Sequence, residues 1–494
     1  MIGNPKSPLL AKGPLLKADI CVIGAGAGGL SYAAGAAQMG ADVVLIEQDK
    51  MGGDCLNAGC VPSKALLAAA KAAVAGRKAE TFGVTYGPAK VTYTAVLAHV
   101  HNAIAQIAPH DSRARFEGLG VHVIEGTARF VDTRTVAVAT QRGAQQIRAK
   151  RFIIATGSRP LIPAIPGLDQ VPYLTNESLW NLKALPERLL VIGGGAIGLE
   201  MALAHQRLGA QVSLIEAAQI LPNDDRDMVA VAREALIAEG LQLIEGAKVT
   251  RVAGTAGTLH LTYQKDGQEQ RLSGSHVLVA TGRVANVETL GLAAAKVPLG
   301  PRGIEVDARQ RTRNPRVFAV GDVAGDLQFT HYASHQAAIA LQNTLLPPIP
   351  FRPATRRRDA VPWVTFLDPE VAQVGLNETT AKAQGIAYRV ERAAFTEADR
   401  LVAEGQTKGF VKVLIDRRNR VIGAGIVGPK AGELIHFWAL GVYRRSKITA
   451  LASYLAPYPT AGEINKKVIG KFIAPKLFGP LVQRIVRFWL RFLS

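Results

Sequence analysis

A strand–glycine turn–helix–strand unit occurs twice in the chain and constrains its fold more than any other feature. In the first copy, Gly24, Gly26 and Gly29 follow the apolar run Ile20–Ile23 with G-x-G-x-x-G spacing. A second strand, residues 42–46, ends at Glu47, twenty-three residues after the first glycine. The first glycine permits a tight turn, the second lets the backbone approach a pyrophosphate, and the third allows close helix packing. The pattern predicts a βαβ dinucleotide-binding unit.

The second copy repeats these intervals. Gly193, Gly195 and Gly198 follow a strand at 189–192, and the next strand ends at Glu216, again twenty-three residues on. Two such units imply two nucleotide cofactors. We expect Glu47 and Glu216 to accept hydrogen bonds from ribose hydroxyls. Because a carboxylate repels a 2′-phosphate, Glu216 favours NAD(H) over NADP(H), and Arg226 lies too far along the chain to reverse this.

Two of the three cysteines, Cys55 and Cys60, lie in the run GGDCLNAGCVPSK. A separation of five residues allows the two thiols to form a reducible disulfide if a helix begins here, and a helix N-terminus lowers a thiol pKa. The alternatives are two buried apolar cysteines or half of a zinc site, but zinc normally needs a second pair, which the sequence lacks. The pattern favours a redox-active pair. The third cysteine, Cys21, is expected to be a buried core residue.

Two similar strands, FIIATG at 152–157 and VLVATG at 277–282, bracket the second unit. This arrangement predicts an α/β fold with two Rossmann-like domains, the second inserted in the first, followed by a C-terminal α+β domain. Asp322 ends a late strand that returns to the first domain. The predicted boundaries, in chain order, are 1–156 and 283–355 for the first nucleotide domain, 157–282 for the inserted one, 356–470 for the C-terminal domain and 471–494 for a basic tail.

Composition limits the classes of partner and location. The chain has 494 residues and a net charge of +19, with 58 basic and 39 acidic residues. No helix-turn-helix, zinc-finger or RNA-binding signature accompanies this charge, so we expect no nucleic-acid partner. The first seventeen residues lack a continuous apolar segment, and no eighteen-residue apolar run occurs, which predicts a cytoplasmic protein that does not span a membrane.

With both glycine units, the GCVPSK run and the ATG strands, the chain resembles the class I pyridine nucleotide-disulfide oxidoreductases over residues 17–470. The resemblance implies an FAD domain, an inserted NAD(P) domain and an interface domain that forms a homodimer. Cys60 would be the thiol on the flavin side, Cys55 would meet the substrate, and Lys64 and Glu200 would form an ion pair beside the flavin. The resemblance implies that FAD is held by Gly24, Gly26, Gly29, Glu47 and Asp322, and the nicotinamide nucleotide by Gly193, Gly195, Gly198 and Glu216. The further cofactor-binding residues expected are Gly53, Lys64, Thr156, Gly157 and Gly282.

The resemblance further implies an activity like that of dihydrolipoamide dehydrogenase, with electrons passing between nicotinamide, flavin, the Cys55–Cys60 disulfide and a disulfide or dithiol substrate. Family members end with His-Pro-Thr-x-x-Glu, whose histidine exchanges protons with the substrate thiol. Here Tyr458 occupies the histidine position and Glu463 retains the acid. Tyrosine, with a reference pKa of about ten, is a poor base at neutral pH.

The alternatives are therefore a mercuric-type reductase of metal ions, or a membrane-associated flavoprotein with a quinone or partner-protein acceptor. Mercuric reductases carry a tyrosine near this position, yet they have a terminal cysteine pair, and no cysteine follows Cys60 here.

The tail contains no acidic residue after Glu463. On a helix from Leu481, three arginines share one face, and apolar and aromatic residues occupy the remainder. This pattern is typical of a cationic interfacial helix that binds anionic lipid on the inner membrane face, and packing on the dimer's own surface is the alternative.

Overall fold

The computed structural model describes residues 14–347 and 353–493. Most of the N-terminal segment, and the part of the proline-rich boundary between 348 and 352, lie outside the described residues. The organisation predicted from the sequence was two nucleotide-binding units and a C-terminal α+β domain.

The first unit is a sheet flanked by helices. Its strands are β1 (Leu15–Ile23), β2 (Val43–Glu47), β3 (His122–Glu125), β4 (Thr127–Phe130), β5 (Thr135–Thr140) and β6 (Gly143–Ile154). Its helices are α1 (Ala27–Gln38), α2 (Gly53–Asn57), α3 (Cys60–Ala79), α4 (Tyr93–Ile107) and α5 (Arg113–Gly118).

The strand order of this sheet is β3-β2-β1-β6-β5-β4, with parallel pairing from β3 to β6 and antiparallel pairing in β6, β5 and β4. Strand β1 is covered on both faces, as expected for a parallel strand. Cys21 and Ile23 pack on one side of the sheet, and Ile20 and Val22 on the other. Cys21 is fully buried, as predicted.

A short strand, β7 (Ser158–Pro160), leads to the second unit. This unit contains β8 (Arg188–Ile192), β9 (Gln211–Glu216), β10 (Gln242–Glu245), β11 (Ala247–Thr255), β12 (Thr258–Lys265), β13 (Gln268–Gly274) and β14 (His276–Val279), with α6 (Ala196–Leu208) and α7 (Arg226–Ala238). A parallel sheet of order β10-β9-β8-β14 lies beside an antiparallel sheet of β11, β12 and β13. The two glycine-bearing units therefore share one βαβ plan.

The chain then returns to the first unit through β15 (Arg283–Ala285), β16 (Leu299–Gly300), β17 (Gly303–Ile304), β18 (Val317–Ala319) and α8 (Thr330–Leu345). Strand β18 pairs in parallel with β6, which completes the first sheet. The outgoing strand β7 and the returning strand β15 pair antiparallel, so the two crossings between the units lie side by side.

The C-terminal domain is built on an antiparallel sheet of order β19-β20-β23-β22-β21. Its elements are β19 (Pro362–Thr365), β20 (Glu370–Gly375), α9 (Glu378–Ala383), β21 (Tyr388–Ala394), α10 (Asp399–Ala403), β22 (Phe410–Asp416), β23 (Val421–Gly428), α11 (Ala431–Tyr443), α12 (Glu463–Leu477) and α13 (Pro480–Trp489). Buried Trp438 on α11 and Phe472 on α12 pack in one core with the sheet.

By length and composition, one helical stretch in the described part of the chain, residues 53–77, is apolar enough to cross a membrane. The stretch consists of α2 and most of α3. Leu66 and Ala70 on α3 are fully buried, in one core with Leu97 of α4 and Leu199 of α6. About a third of its most apolar window, 33%, is buried in this way.

Candidate active site

The first and third glycines of each turn are required by sterics. Gly24 has φ +103°, and a Cβ there would lie 2.4 Å from the carbonyl oxygen of Ala155. A Cβ on Gly29 would lie 1.9 Å from the carbonyl oxygen of Gly24. The second unit repeats both contacts, with Gly193 against Ala280 at 2.4 Å and Gly198 against Gly193 at 2.0 Å. No larger residue fits these positions without moving the backbone.

The middle glycine of each turn faces open space instead. A Cβ on Gly26 would meet only the Cα of Gly53, at 3.9 Å, and one on Gly195 would meet nothing within 4 Å. These glycines are the N-caps of α1 and α6, whose first backbone N–H groups have no partner within the helix. Each turn thus presents an open, positively polarised surface, which is suited to a phosphate.

The two predicted acids occupy matching positions. Glu47 accepts hydrogen bonds from the backbone N–H of Ala25 at 2.6 Å and from those of Gln48 and Asp49, each at 2.9 Å. Glu216 accepts from Gly194 N–H at 2.7 Å and from Ala218 N–H at 2.9 Å. A carboxylate offers about four acceptor positions, so each acid retains capacity for a ligand hydroxyl beside its glycine turn.

A cavity of about 550 Å³ opens on the second unit, beside Gly193 and Glu216. Thr281 and Lys248 also line it. Its lining is partly apolar, from Pro163, Ile165, Ile192, Ile215 and Val249. The cavity lies at the carboxyl ends of parallel strands, where doubly wound folds bind their ligands.

The ATG segments lie where the chain crosses between the units. Thr156 Oγ1 donates to the backbone oxygen of Asn286 at 2.8 Å, and the Asn286 side chain donates back to Thr156 O at 2.9 Å. Gly157 and Gly282 both have positive φ, +64° and +136°. These contacts join the outgoing and returning segments next to the first glycine turn.

Cys55 lies on α2, and Cys60 is the first residue of α3. The two thiols therefore belong to two successive helices rather than to one continuous helix. Both are free thiols. A hydrogen bond from Cys55, together with the Thr330 hydroxyl and the charge of Lys64, lowers the pKa of Cys60 to about 6. The same Cys55–Cys60 hydrogen bond, with burial, raises the pKa of Cys55.

The predicted ion pair is present. Lys64 Nζ lies 2.7 Å from Glu200 Oε2 and 4.2 Å from the centroid of the Phe366 ring. Glu200 is buried, and its other carboxylate oxygen accepts the backbone N–H of Phe366 at 2.9 Å. Glu200 and the Phe366 ring together hold the Lys64 ammonium near Cys60.

A polar network adjoins the thiols, and Asp322 is the only member of it that was predicted from the sequence. Arg283 contacts Asp54 Oδ1 at 3.2 Å and donates to Ser158 Oγ at 2.7 Å, and Ser158 donates to Asp322 Oδ2 at 2.5 Å. Asn176 also donates to Asp54, at 3.1 Å. Burial raises the pKa of Asp322. Arg283 directly follows VLVATG, and Asp54 directly precedes Cys55. Their places next to these motifs were the only features of the sequence that could have indicated a role for them.

Thr330 was missed as well. Its hydroxyl lies 3.2 Å from Cys60 Sγ, although 270 residues separate them. It is the first residue of α8, and no motif surrounds it. Only the packing of α8 against α1 brings it to the thiol pair.

The last two predicted residues do not join this cluster within one chain. The Tyr458 side chain is 70% exposed on the C-terminal domain, and its hydroxyl donates to Asp399 Oδ2 at 3.1 Å. That hydrogen bond raises the pKa of Tyr458, which makes its hydroxyl a weaker acid. Glu463 begins α12 in the same domain.

Two dinucleotide-type turns and a polarised thiol pair are typical of oxidoreductases that use nucleotide cofactors. The chain belongs to the pyridine nucleotide-disulphide oxidoreductases. The model of that family matches residues 18–337, and the model of its dimerisation domain matches residues 361–469. The chain is therefore an FAD-dependent enzyme that uses a pyridine nucleotide, its predicted fold class is confirmed, and the dimerisation domain supports a homodimer.

The similar proteins include both mercuric reductases and dihydrolipoyl dehydrogenases. The chain is 33% identical to a mercuric reductase of Staphylococcus aureus, over 90% of this chain and 80% of that protein. It is 32% identical to a dihydrolipoyl dehydrogenase of Geobacillus stearothermophilus, over 91% and 95%. The structure of a Cu(II) complex of RclA, an HOCl-induced flavoprotein disulfide reductase from Escherichia coli, is similar with a TM-score of 0.82 and 25% identity, covering 92% of this chain and 99% of that one.

Proposed function

We propose that this enzyme passes an electron pair from NADH to a disulfide substrate, or in the reverse direction from a dithiol, through Cys55 and Cys60. The unequal pair of thiols carries the proposal. Cys60 is stabilised as a thiolate by a hydrogen bond from Cys55, by Thr330 and by Lys64, whereas Cys55 is held protonated. Such a polarised pair is typical of disulfide exchange, because the thiolate is the reactive species.

The residues around the first glycine turn fit FAD. The open N-cap at Gly26 suits the pyrophosphate, Glu47 retains acceptor capacity for a ribose hydroxyl, and Asp322 lies at the end of β18 for a further polar contact. Gly53 approaches the turn so closely that a Cβ there would lie 2.7 Å from Gly26 Cα. Bound FAD would supply two-electron transfer between the nicotinamide and the sulfur pair.

In the reductive direction, NADH converts the Cys55–Cys60 disulfide to the Cys55 thiol and the Cys60 thiolate and leaves NAD⁺. The Cys60 thiolate accepts the proton of Cys55, and Cys55 Sγ attacks the substrate disulfide and releases one substrate thiolate, which takes up that proton. Cys60 Sγ then attacks Cys55 Sγ, the enzyme disulfide re-forms, and the second substrate thiolate is protonated from solvent. Lys64 stabilises the thiolate, and Glu200 positions Lys64.

We propose NADH rather than NADPH as the donor. Ala217 and Ala218 follow Glu216, so no basic residue adjoins the acid in the sequence, and Lys248 is the basic residue that lines the same cavity. Arg226, the nearest downstream arginine, turns its guanidinium back onto the backbone oxygens of Ile220 and Leu221. A 2′-phosphate would thus face the Glu216 carboxylate. Steady-state comparison should give a much higher kcat/KM with NADH, and equal values would contradict the assignment.

A metal ion is the second candidate acceptor, because the relatives include mercuric reductases and the thiols are soft ligands. No group of three or more metal-ligating side chains occurs within residues 14–347 and 353–493, so the thiol pair itself would receive the ion as substrate. Tyr458 in place of histidine weakens the proton relay that a dithiol substrate needs, which favours this candidate over efficient lipoamide turnover. We place Tyr458 and Glu463 at the thiol pair of the other subunit of the homodimer.

An acceptor screen with purified, FAD-loaded enzyme tests the proposal. NADH oxidation is followed with lipoamide, with Hg(II) plus a thiol, with Cu(II) and with a quinone, for the parent and for Cys55→Ser and Cys60→Ser. The proposal expects turnover with a disulfide or a metal ion that both serine variants lose. Turnover with quinone alone, unchanged in the serine variants, would overturn it.

Tyr458→His separates the two leading candidates. If the physiological substrate is a dithiol or disulfide, a histidine at this position should raise lipoamide turnover at least tenfold, because imidazole titrates near neutral pH. If the substrate is a metal ion, lipoamide turnover should remain low and metal reduction should change little.

We also propose that the reaction takes place in the cytoplasm, where thiols are kept reduced.

A further inference from the structure

The last helix, α13, and the turn after it are the most exposed apolar segment of the described chain. Nine side chains of residues 480–493 form a broad apolar face, comprising Leu481, Val482, Ile485, Val486, Phe488, Trp489, Leu490, Phe492 and Leu493. Leu481 is 70% exposed and Trp489 61%. None of these side chains is buried, and all of them except Val482 are exposed, from Val486 at 48% to Leu481 at 70%.

The remaining side of this segment is cationic. At 100° per residue, Gln483, Arg484, Arg487 and Arg491 fall within one narrow sector opposite the apolar face. All three arginines are exposed, and in the part of the chain that the structure describes none of them forms an ion pair with a carboxylate. After Glu463 the sequence contains no acid at all.

The joint between α12 and α13 separates this segment from the domain. Helix α12 ends at Leu477, and Gly479 is extended with φ −70° and ψ 160° before Pro480 begins α13. Helix α12 itself is fixed to the domain, because Val468 and Phe472 are buried and Lys471 pairs with Glu397 at 2.6 Å. The apolar face of α13 is therefore displayed from a rigid base.

We propose that residues 480–493 dock on an anionic phospholipid surface, with the apolar face in the interfacial region and the arginines at the headgroups. Aromatic and aliphatic side chains on one face with arginines on the other is the composition that such a surface binds. A protein partner would need only the apolar face. Within a homodimer, the tail of the second copy is the alternative occupant, but that tail contains no acid after Glu463 that could pair with the arginines.

The test uses the FAD-loaded full-length enzyme and sedimentation with two kinds of vesicle, pure phosphatidylcholine and phosphatidylcholine with about a third phosphatidylglycerol. We expect at least tenfold stronger partitioning onto the anionic vesicles, decreasing as salt is raised because the charges are screened. Arg484→Gln/Arg487→Gln/Arg491→Gln should abolish the preference, and Phe488→Ser/Trp489→Ser should abolish binding.

A matched control has the same change in net charge elsewhere. Arg142→Gln/Arg251→Gln/Arg271→Gln removes three exposed arginines far from the tail in sequence and should bind like the parent. NADH oxidation by the arginine and aromatic variants confirms that they are folded. Cys55→Ser, whose folding is checked by its bound FAD, should still bind vesicles, so this inference can fail independently of the proposed chemistry.

Equal binding to both vesicles, or loss in the control triple variant as large as in the tail variant, would overturn the proposal. So would a tail variant that keeps its vesicle binding but changes oligomeric mass by light scattering, because the face would then be covered by another copy of the chain.

Discussion

At the scale of single residues, the chemistry of Cys60 is set by neighbours that act in opposite directions. The Thr330 hydroxyl and the Lys64 ammonium lower its pKa, whereas the Asp54 carboxylate raises it. A pKa of about 6 leaves roughly ten thiolates for each thiol at pH 7. Two substitutions should therefore move the same titration in opposite directions.

Thr330→Val removes the hydroxyl 3.2 Å from Cys60 Sγ while keeping the side-chain shape. The thiolate loses a hydrogen-bond donor, so the pKa of Cys60 should rise above about 6 and less thiolate should exist at pH 7. The measurement is the thiolate ultraviolet absorbance of the reduced protein as a function of pH. Thr255→Val, at an exposed position on β11, is the control and should titrate like the parent.

Asp54→Asn should lower the pKa of Cys60 further. The substitution removes a negative charge next to the thiols and leaves the Arg283 guanidinium, now 3.2 Å from a neutral group, free to stabilise the thiolate. The same titration checks the sign, with the exposed Asp169→Asn as control. A rise in the pKa of Cys60 would show that Asp54 acts through structure rather than charge.

At the scale of elements, the same strand–turn–helix motif occurs twice in the molecule. Because the first glycine of each turn lies against the carbonyl of its own ATG segment, the two turns are built independently of each other. A substitution that distorts one turn should therefore leave the other turn intact.

Gly193→Ala tests this independence. Its φ of +112° and the 2.4 Å approach to Ala280 O should distort the second turn only. The purified variant should remain yellow with a full complement of FAD, while NADH consumption falls at least a hundredfold. Gly87→Ala, where a Cβ meets no atom within 4 Å, should behave like the parent. Loss of FAD from Gly193→Ala would mean that the two units fold as one.

At the scale of the whole molecule, ion pairs connect the nucleotide units to the C-terminal domain. Lys412 on β22 is almost fully buried and contacts Asp225 at 2.8 Å and Asp227 at 2.6 Å, at the start of α7. Arg207 on α6 is equally buried and pairs with Asp368, at 2.9 Å, in the C-terminal domain. These contacts fix how the domains pack.

Lys412→Met should be strongly destabilising. It leaves Asp225, whose side chain is also buried, without its cation, and removing one partner of a buried pair costs about 3 kcal/mol or more. Thermal unfolding followed by circular dichroism should show a clearly lower midpoint. Lys265→Met, on the β12–β13 hairpin, provides the comparison, and an equal midpoint for the two variants would contradict the prediction.

The sequence by itself determined the local motifs of this protein. The glycine spacing with its following acid, and the cysteine run, each lie within about thirty consecutive residues, so their pattern is visible in the chain. The Lys64–Glu200 pair spans 136 residues and was reached only through resemblance to a family.

Only the tertiary structure decided which distant groups act on the thiols. Thr330 reaches Cys60 because α8 packs on α1, and Arg283 reaches Asp54, the neighbour of Cys55, because strand β15 pairs with β7. Such long-range pairings leave no periodic or spacing signal in the chain, since a single polar residue is compatible with many surroundings. The sequence thus determined the positions of the nucleotide-binding turns and of the cysteine pair. The tertiary structure decided which polar and charged groups surround the cysteines.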